Sequence, residues 1–294
     1  METKYKQKTL ILSTSWYVFK SKFNKEIYEK WIQNMLSNVN NYKLVVYTDE
    51  NSESFINPYL TNPNIIKIIK PEDDFYTYRY KNEWIENHKK NDLLNESIDW
   101  RVNMLWNEKV HFVYETIQNG YHVEKEQKEQ NIYGWCDIGY FRCRNREYND
   151  GYISGYKDIE ENEIGDWPNK LKLTEEYINP SKIYYARVNN DPRYINMLFT
   201  MANLKSKDGL PMFDIPPTQN SIAGGFFLVD ESKIEWLRNL YDSTLNMYFS
   251  HNKLVKDDQI ILVDAIFSNM NKFHLIQTNN PIYDKWFQFQ RFLL

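Results

Sequence analysis

The sequence predicts an α/β fold: one domain over residues 1–294, with a mainly parallel central sheet flanked by helices. Two observations carry that reading. Short apolar runs of strand type alternate with segments of helical period through the first third of the chain, the pattern of strands buried on both faces under crossover helices. No internal repeat, low-complexity linker or shift in composition divides the chain, and its length suits one continuous core.

Taken in order, Thr9–Thr14 (TLILST) reads as a buried strand, and Ser21 to about Leu36 as a helix with Ile27, Trp31 and Met35 on one face. Leu44–Tyr47 is a second strand, stopped by Thr48 and Asp49. Ile65–Ile69 is a third, stopped by Pro71. Asp99–Gln118 is the strongest helix: Val102, Leu105, Trp106, Val113 and Ile117 form an apolar stripe, and Asn119-Gly120 ends it. The polar stretch Glu124–Gln130 leads to a strand at Tyr133–Cys136. Asp150 to Asn179 is polar and broken by Gly and Pro, so it reads as loops and short elements above the sheet. Ser221–Val229 reads as a strand, Glu231–Phe249 and Asp257–Phe267 as helices, and Phe273–Ile276 as a last strand.

Composition excludes several classes. The formal net charge is −4, and Lys and Arg are scattered rather than gathered in a basic stripe, which argues against a nucleic-acid partner. Cys136 and Cys143 make neither a disulfide framework nor a zinc pattern and fit a reducing, cytoplasmic setting. The apolar stretch Leu10–Leu12 is too short for a signal peptide, and no run approaches a membrane span, which leaves room only for peripheral membrane contact. Aromatic residues reach 16%, a surplus that suits sugar stacking but is better explained, in a chain also rich in Asn, Lys and Ile, by an AT-rich genome whose codons favour Tyr and Phe.

Four segments carry candidate chemistry. Asp137 follows the strand ending Trp135-Cys136, where ligands of open α/β sheets bind, and Gly139 two residues on lets a backbone approach a ligand. Such an Asp can hold a metal and through it a diphosphate; capping a turn explains it equally well. Lys109 puts a cation on the apolar stripe of the long helix, so either an anion meets it or its stem lies along the core edge. Gly224-Gly225 opens a buried strand, which implies close approach by a substrate or by another element. Asp257-Asp258-Gln259 precedes an apolar helix: one acid serves as its cap, and the second exceeds what a cap requires. Capping uses the residue before the first turn, which assigns Asp257 to the cap and Asp258 to the site. Thr14 and Tyr17 after the first strand, and Asp49 after the second, stand where a nucleotide docks. They are also ordinary strand-to-loop residues. His274, alone in an apolar run, reads as a core residue.

With these segments in hand, the chain resembles the HtrL/YibB-like bacterial family, assigned to glycosyltransferases of the GT-A type. The resemblance rests on Trp106-Asn107-Glu108-Lys109, on Trp135-Cys136-Asp137-Ile138-Gly139 with Tyr140-Phe141-Arg142, on Ala223-Gly224-Gly225-Phe226 and on Asp257-Asp258-Gln259, in that order from about residue 99 to 275. It implies a single GT-A-like, Rossmann-like domain, a nucleotide-sugar donor with a UDP-sugar first in line, and Mn²⁺ or Mg²⁺. Asp137 matches the essential acid of the family's Asp-x-Asp motif, while Gly139 stands in place of the second acid. His274 is the one candidate for a late histidine ligand. Gly224 and Gly225 match the segment lining the donor–acceptor boundary, and Asp257 and Asp258 the acidic segment facing the acceptor.

The resulting expectation is a metal-dependent glycosyltransferase of polysaccharide biosynthesis. It moves a sugar from the nucleotide donor to a glycan or lipid-linked acceptor, with Asp258, Asp257 and Lys109 in the catalytic set. Two rivals are a metal-dependent phosphohydrolase using Asp137, Asp257 and Asp258, and a non-catalytic carbohydrate-binding protein.

Overall fold

The computed structural model describes residues 7–123, 131–143 and 158–294. The polar stretch Glu124–Gln130 and residues 150–157 of the expected loop section lie outside the described residues. The elements run β1 (Thr9–Trp16), α1 (Lys25–Leu36), β2 (Lys43–Thr48), β3 (Ile65–Ile69), α2 (Lys81–Lys89), α3 (Trp100–Gln118), β4 (Asn131–Cys136) and α4 (Glu161–Ile164). They continue with β5 (Ile183–Arg187), α5 (Pro192–Asn203), β6 (Ile222–Val229), α6 (Glu231–Ser250), α7 (Asp258–Phe267), β7 (Phe273–Ile276) and α8 (Gln288–Phe292).

All seven strands join one sheet in the order β3-β2-β1-β4-β6-β5-β7. Pairing is parallel except around β6, which runs antiparallel to both β4 and β5. Side chains alternate between faces along each strand, and both faces are covered. Ile11, Val45, Tyr47, Tyr133 and Phe227 point into one core with α2, α3, α5, α6 and α7. Leu10, Leu12, Leu44, Val46, Ile132 and Leu228 point into the other, with α1 and α8. Two buried faces are why the strand sequences read as unbroken apolar runs.

The sequence reading passes over β5, α2 and α5. For α5 the start signal is present, since Asp191 accepts from Arg193 N at 2.9 Å and Pro192 takes the first helical position. On α3 the expected stripe is only partly the buried face. Val102, Val113 and Ile117 are buried, whereas Leu105 and Trp106 are half-exposed. In their stead the helix buries Asn103, Asn107, Glu108, Lys109 and His111.

β1 has β2 on one side and β4 on the other, so the chain leaves β1 towards opposite edges of the sheet. Such a switch point opens a crevice at the carboxyl ends of the strands.

Candidate active site

At that crevice lies a cavity of about 450 Å³, within the usual range for a small-molecule site. Its floor is the end of β4 and the start of β6. Its walls are the end of β1, the outward face of α3 with Leu105 and Trp106, and an aromatic group from α1 and the C-terminal segment that includes Phe23, Trp31, Trp286 and Phe287.

The floor carries three ionised side chains from three distant parts of the chain. Lys109 Nζ donates to Asp258 Oδ2 at 2.9 Å, to the Gly224 carbonyl at 2.9 Å and, in a longer bond, to Asp137 Oδ2 at 3.5 Å, with Asp137 Oδ1 at ion-pair distance, 3.1 Å. An ammonium has three donors, and here all three are used. Asp137 Oδ1 also accepts from Trp135 Nε1 at 2.6 Å. Burial works against the charge on Lys109, but the carboxylates of Asp137 and Asp258 outweigh it and hold its pKa above the ordinary lysine value. Burial raises the pKa of Asp137, against the pull of Lys109 and Trp135. The two acids are not equivalent in access. The Asp137 side chain is 39% exposed towards the cavity, the Asp258 side chain 6%.

Small residues make this convergence possible. A Cβ on Gly224 would lie 2.3 Å from Asp258 Oδ2, and one on Gly225 3.2 Å from Asp137 Oδ2. The glycines therefore make room for the carboxylates, the tight-packing alternative of the sequence reading. Gly139 makes room as well, but for a ring: a Cβ there would sit 2.7 Å from Trp31 Cε3. That position makes room for Trp31 and also lines the cavity.

At the start of α7 the two adjacent acids divide as the helix-start argument predicts. Asp257 is the N-cap, accepting from Gln259 N at 3.2 Å and pairing with Lys256 at 2.7 Å. Burial and the neighbouring Asp258 raise its pKa. Asp258, one residue on, points instead to Lys109. It thus sits beside Asp137 rather than across the cavity. Lys109 between the two carboxylates offsets the like-charge repulsion that their proximity would otherwise bring.

Other expected site residues fall elsewhere. Thr14 is buried within β1 and does not line the cavity. Tyr17 does line it, yet its hydroxyl is committed to the Lys70 carbonyl at 2.7 Å. Asp49 caps the turn after β2, accepting from Ser52 N at 2.8 Å, and is not among the cavity residues. His274 is exposed near the start of edge strand β7, against the Tyr184 ring at 4.8 Å, which corrects its reading as a core residue: the apolar run buries Phe273 and Ile276, and the histidine between them faces outward and does not line the cavity.

Two cations in the cavity wall escape the sequence reading as individual site residues. Arg142 lies 4.1 Å over the Trp31 ring and donates its Nε to the Gly139 carbonyl at 3.1 Å. Lys22 stands 4.8 Å over the Trp106 ring and pairs with no carboxylate among the described residues. The signal for both is a basic residue beside aromatics, too common in this chain to single them out.

The donor set does not suit the expected Mn²⁺ or Mg²⁺. Such ions want about six oxygen ligands, with one or two carboxylates among them. Lys109 already takes an oxygen of each available carboxylate, and no three His, Cys, Asp or Glu side chains converge among the described residues. No family model matches the chain, and no curated protein or solved structure matches it.

Proposed function

We propose that the cavity is a glycosyl-transfer site of the GT-A type, taking a nucleotide sugar as donor and a glycan or lipid-linked sugar as acceptor. The observation that carries this reading is the Asp137–Lys109–Asp258 cluster. It forms the floor of an aromatic-walled cavity at the switch point of a mostly parallel sheet. The half-exposed ring of Trp106 at the cavity wall suits a base or a sugar.

Asp137, the accessible acid, meets the substrate. Its carboxylate accepts the hydrogen bond of the acceptor hydroxyl and then its proton. The hydroxyl oxygen bonds to the anomeric carbon as the bond from that carbon to the diphosphate breaks. The burial-raised pKa of Asp137 moves it towards the range of an effective base. Lys22, at the wall and in no ion pair with a carboxylate among the described residues, faces the charge that leaves on the diphosphate. Asp258 and Lys109 hold Asp137 in place. A phosphohydrolase built on Asp137, Asp257 and Asp258 is a poorer fit, because one acid is a helix cap and the other two share an ammonium.

Thermal-shift screening against nucleoside diphosphates, nucleotide sugars and free sugars tests the assignment, since a specific ligand raises stability by mass action. Stabilisation by a nucleoside diphosphate is expected. Stabilisation by free sugars alone would favour the carbohydrate-binding alternative. In the Asp137→Asn variant, folding is expected to be preserved and donor turnover to fall by about 100-fold or more, as loss of a general base does. Near-normal turnover in a folded variant rules out the role of Asp137.

A further inference from the structure

We propose that Lys109 is the resident cation of this site: its ammonium occupies the position between Asp137 and Asp258 that a divalent ion would otherwise take, and so keeps such an ion out. The inference deepens the transfer reading and rests on it for its catalytic meaning. The geometry it uses stands independently.

Lys109 spends its N–H groups on Asp258 Oδ2 and the Gly224 carbonyl, each at 2.9 Å, and on the Asp137 carboxylate, with Oδ2 at 3.5 Å and Oδ1 in ion-pair contact at 3.1 Å. Those three groups, two carboxylates and one backbone carbonyl, are the kind a hard divalent cation selects. They come from the end of β4, the start of β6 and the first turn of α7, and they converge on one point. An empty pocket of this composition would attract a metal ion. Here the point is filled by a side chain anchored in the middle of the 19-residue helix α3. The ammonium brings one positive charge against two negative ones, so the three side chains carry a net charge of −1. Removing Lys109 would leave −2 around oxygens already gathered.

Gly224 supports the same conclusion. Its missing Cβ leaves space for Asp258 Oδ2, which would be 2.3 Å from that atom. This lets the carboxylate close on Lys109 while the carbonyl of Gly224 approaches the same nitrogen. The backbone is shaped around a cation of fixed position. For catalysis the consequence is that a charged group built into the fold organises the acids, with no ion to be recruited from solution.

The test uses Mn²⁺ alone, titrated into the full chain and followed by the paramagnetic signal of the free ion. The wild-type protein is expected to bind no Mn²⁺ at the cluster. Lys109→Met is expected to create a site at least about tenfold tighter than anything in the wild type. Adding Asp137→Asn is expected to abolish it. Lys109→Gln, which keeps a donor and loses the charge, serves if the Met variant does not fold. Wild-type binding of Mn²⁺ that Asp137→Asn removes overturns the proposal without any Lys109 variant. So does a folded Lys109 variant that gains no site. Failure of every nucleotide to bind sinks the transfer reading and leaves this titration able to decide the role of Lys109.

Discussion

Helix α7 buries an aspartate at each end, and each meets a lysine, yet the two arrangements differ in kind. Near its carboxyl end Asp264 pairs with Lys205, one acid to one base, with Ser268 Oγ donating to the same carboxylate at 3.0 Å. The Lys205 side chain is 28% exposed, so solvent shares the work of holding its charge. At the amino end Lys109 is nearly inaccessible and serves two acids, one of which opens on a cavity. The first pair is balanced in charge, one acid against one base. The second is left one charge short, at a helix N-terminus whose dipole favours the extra negative charge. Imbalance held beside an opening, rather than burial of charge as such, marks the functional end of the helix.

Deleting the lysine of the imbalanced cluster is the most severe way to test that contrast. Lys109→Met leaves two buried carboxylates without their cation, and removal of one partner of a buried pair costs about 3–5 kcal/mol. Denaturant unfolding is the measurement, and a loss below about 1 kcal/mol would mean that solvent already screens the cluster. Next in size is Gly224→Ala. The new methyl would meet Asp258 Oδ2 at 2.3 Å, so the carboxylate must leave Lys109 or the strand must shift, at about 1–3 kcal/mol. Gly225→Ala meets Asp137 Oδ2 at 3.2 Å, a contact that a few tenths of an ångström relieve. The variant at 224 is therefore expected to lose more stability and more turnover than that at 225; equal effects would show that the glycines serve something other than the two acids.

At the balanced end, the double replacement Lys205→Met with Asp264→Leu removes both charges together. Apolar substitution of a whole buried pair is neutral or mildly stabilising, so unfolding free energy is expected to stay within about 1 kcal/mol or rise. Nucleotide affinity, read by calorimetry, is expected to be unchanged. A drop in affinity would erase the distinction between the two ends of α7.

How much of this was legible in the sequence follows from which signals are local. The cap at Asp257 could be read because capping depends on one residue and the turn after it. The apolar runs of β1, β2, β4 and β6 could be read because both sheet faces are covered. β5 is passed over although it is as long as β3 and longer than β7: Ile183–Arg187 (IYYAR) is a mixed aromatic run ending in a charge, without the aliphatic block that marks β3. Lys109, Asp137 and Asp258 each stood out alone, but their convergence spans 28 and 149 residues of separation and depends on the strand order. The partner of Gly139 was invisible for the same reason. Trp31 reads as a helix-face residue, and nothing local says that its ring crosses to β4.

The smallest effect at neutral pH concerns His111, two residues beyond Lys109, which sharpens the contrast by having no charge partner at all. Its ring is buried, stacked 4.2 Å from Tyr76, with neither nitrogen hydrogen-bonded. Burial first, then Arg238, Arg79 and Lys70, lower its pKa from 6.5 to about 3. Between those values the unfolded chain binds the proton and the folded chain does not, so this group's contribution is intact above pH 6.5 and is lost as pH falls towards 3. Nearby Glu108 acts with the opposite sign. Burial pushes its carboxyl up to about 7 against the bonds from Thr77 and Tyr76, so from 4.5 to 7 the folded chain holds the proton and stability falls as pH rises. The two slopes oppose each other in the wild type. His111→Phe keeps the stack and removes one slope. At pH 7.5 stability is expected to change by less than about 1 kcal/mol, since a buried N–H without a partner is lost along with the ring nitrogens. Towards pH 5 the variant is expected to gain on the wild type by up to about 1.4 kcal/mol per pH unit. Unfolding curves at a series of pH values give the difference directly, and a constant difference would show that His111 titrates in the folded protein as it does in the unfolded chain.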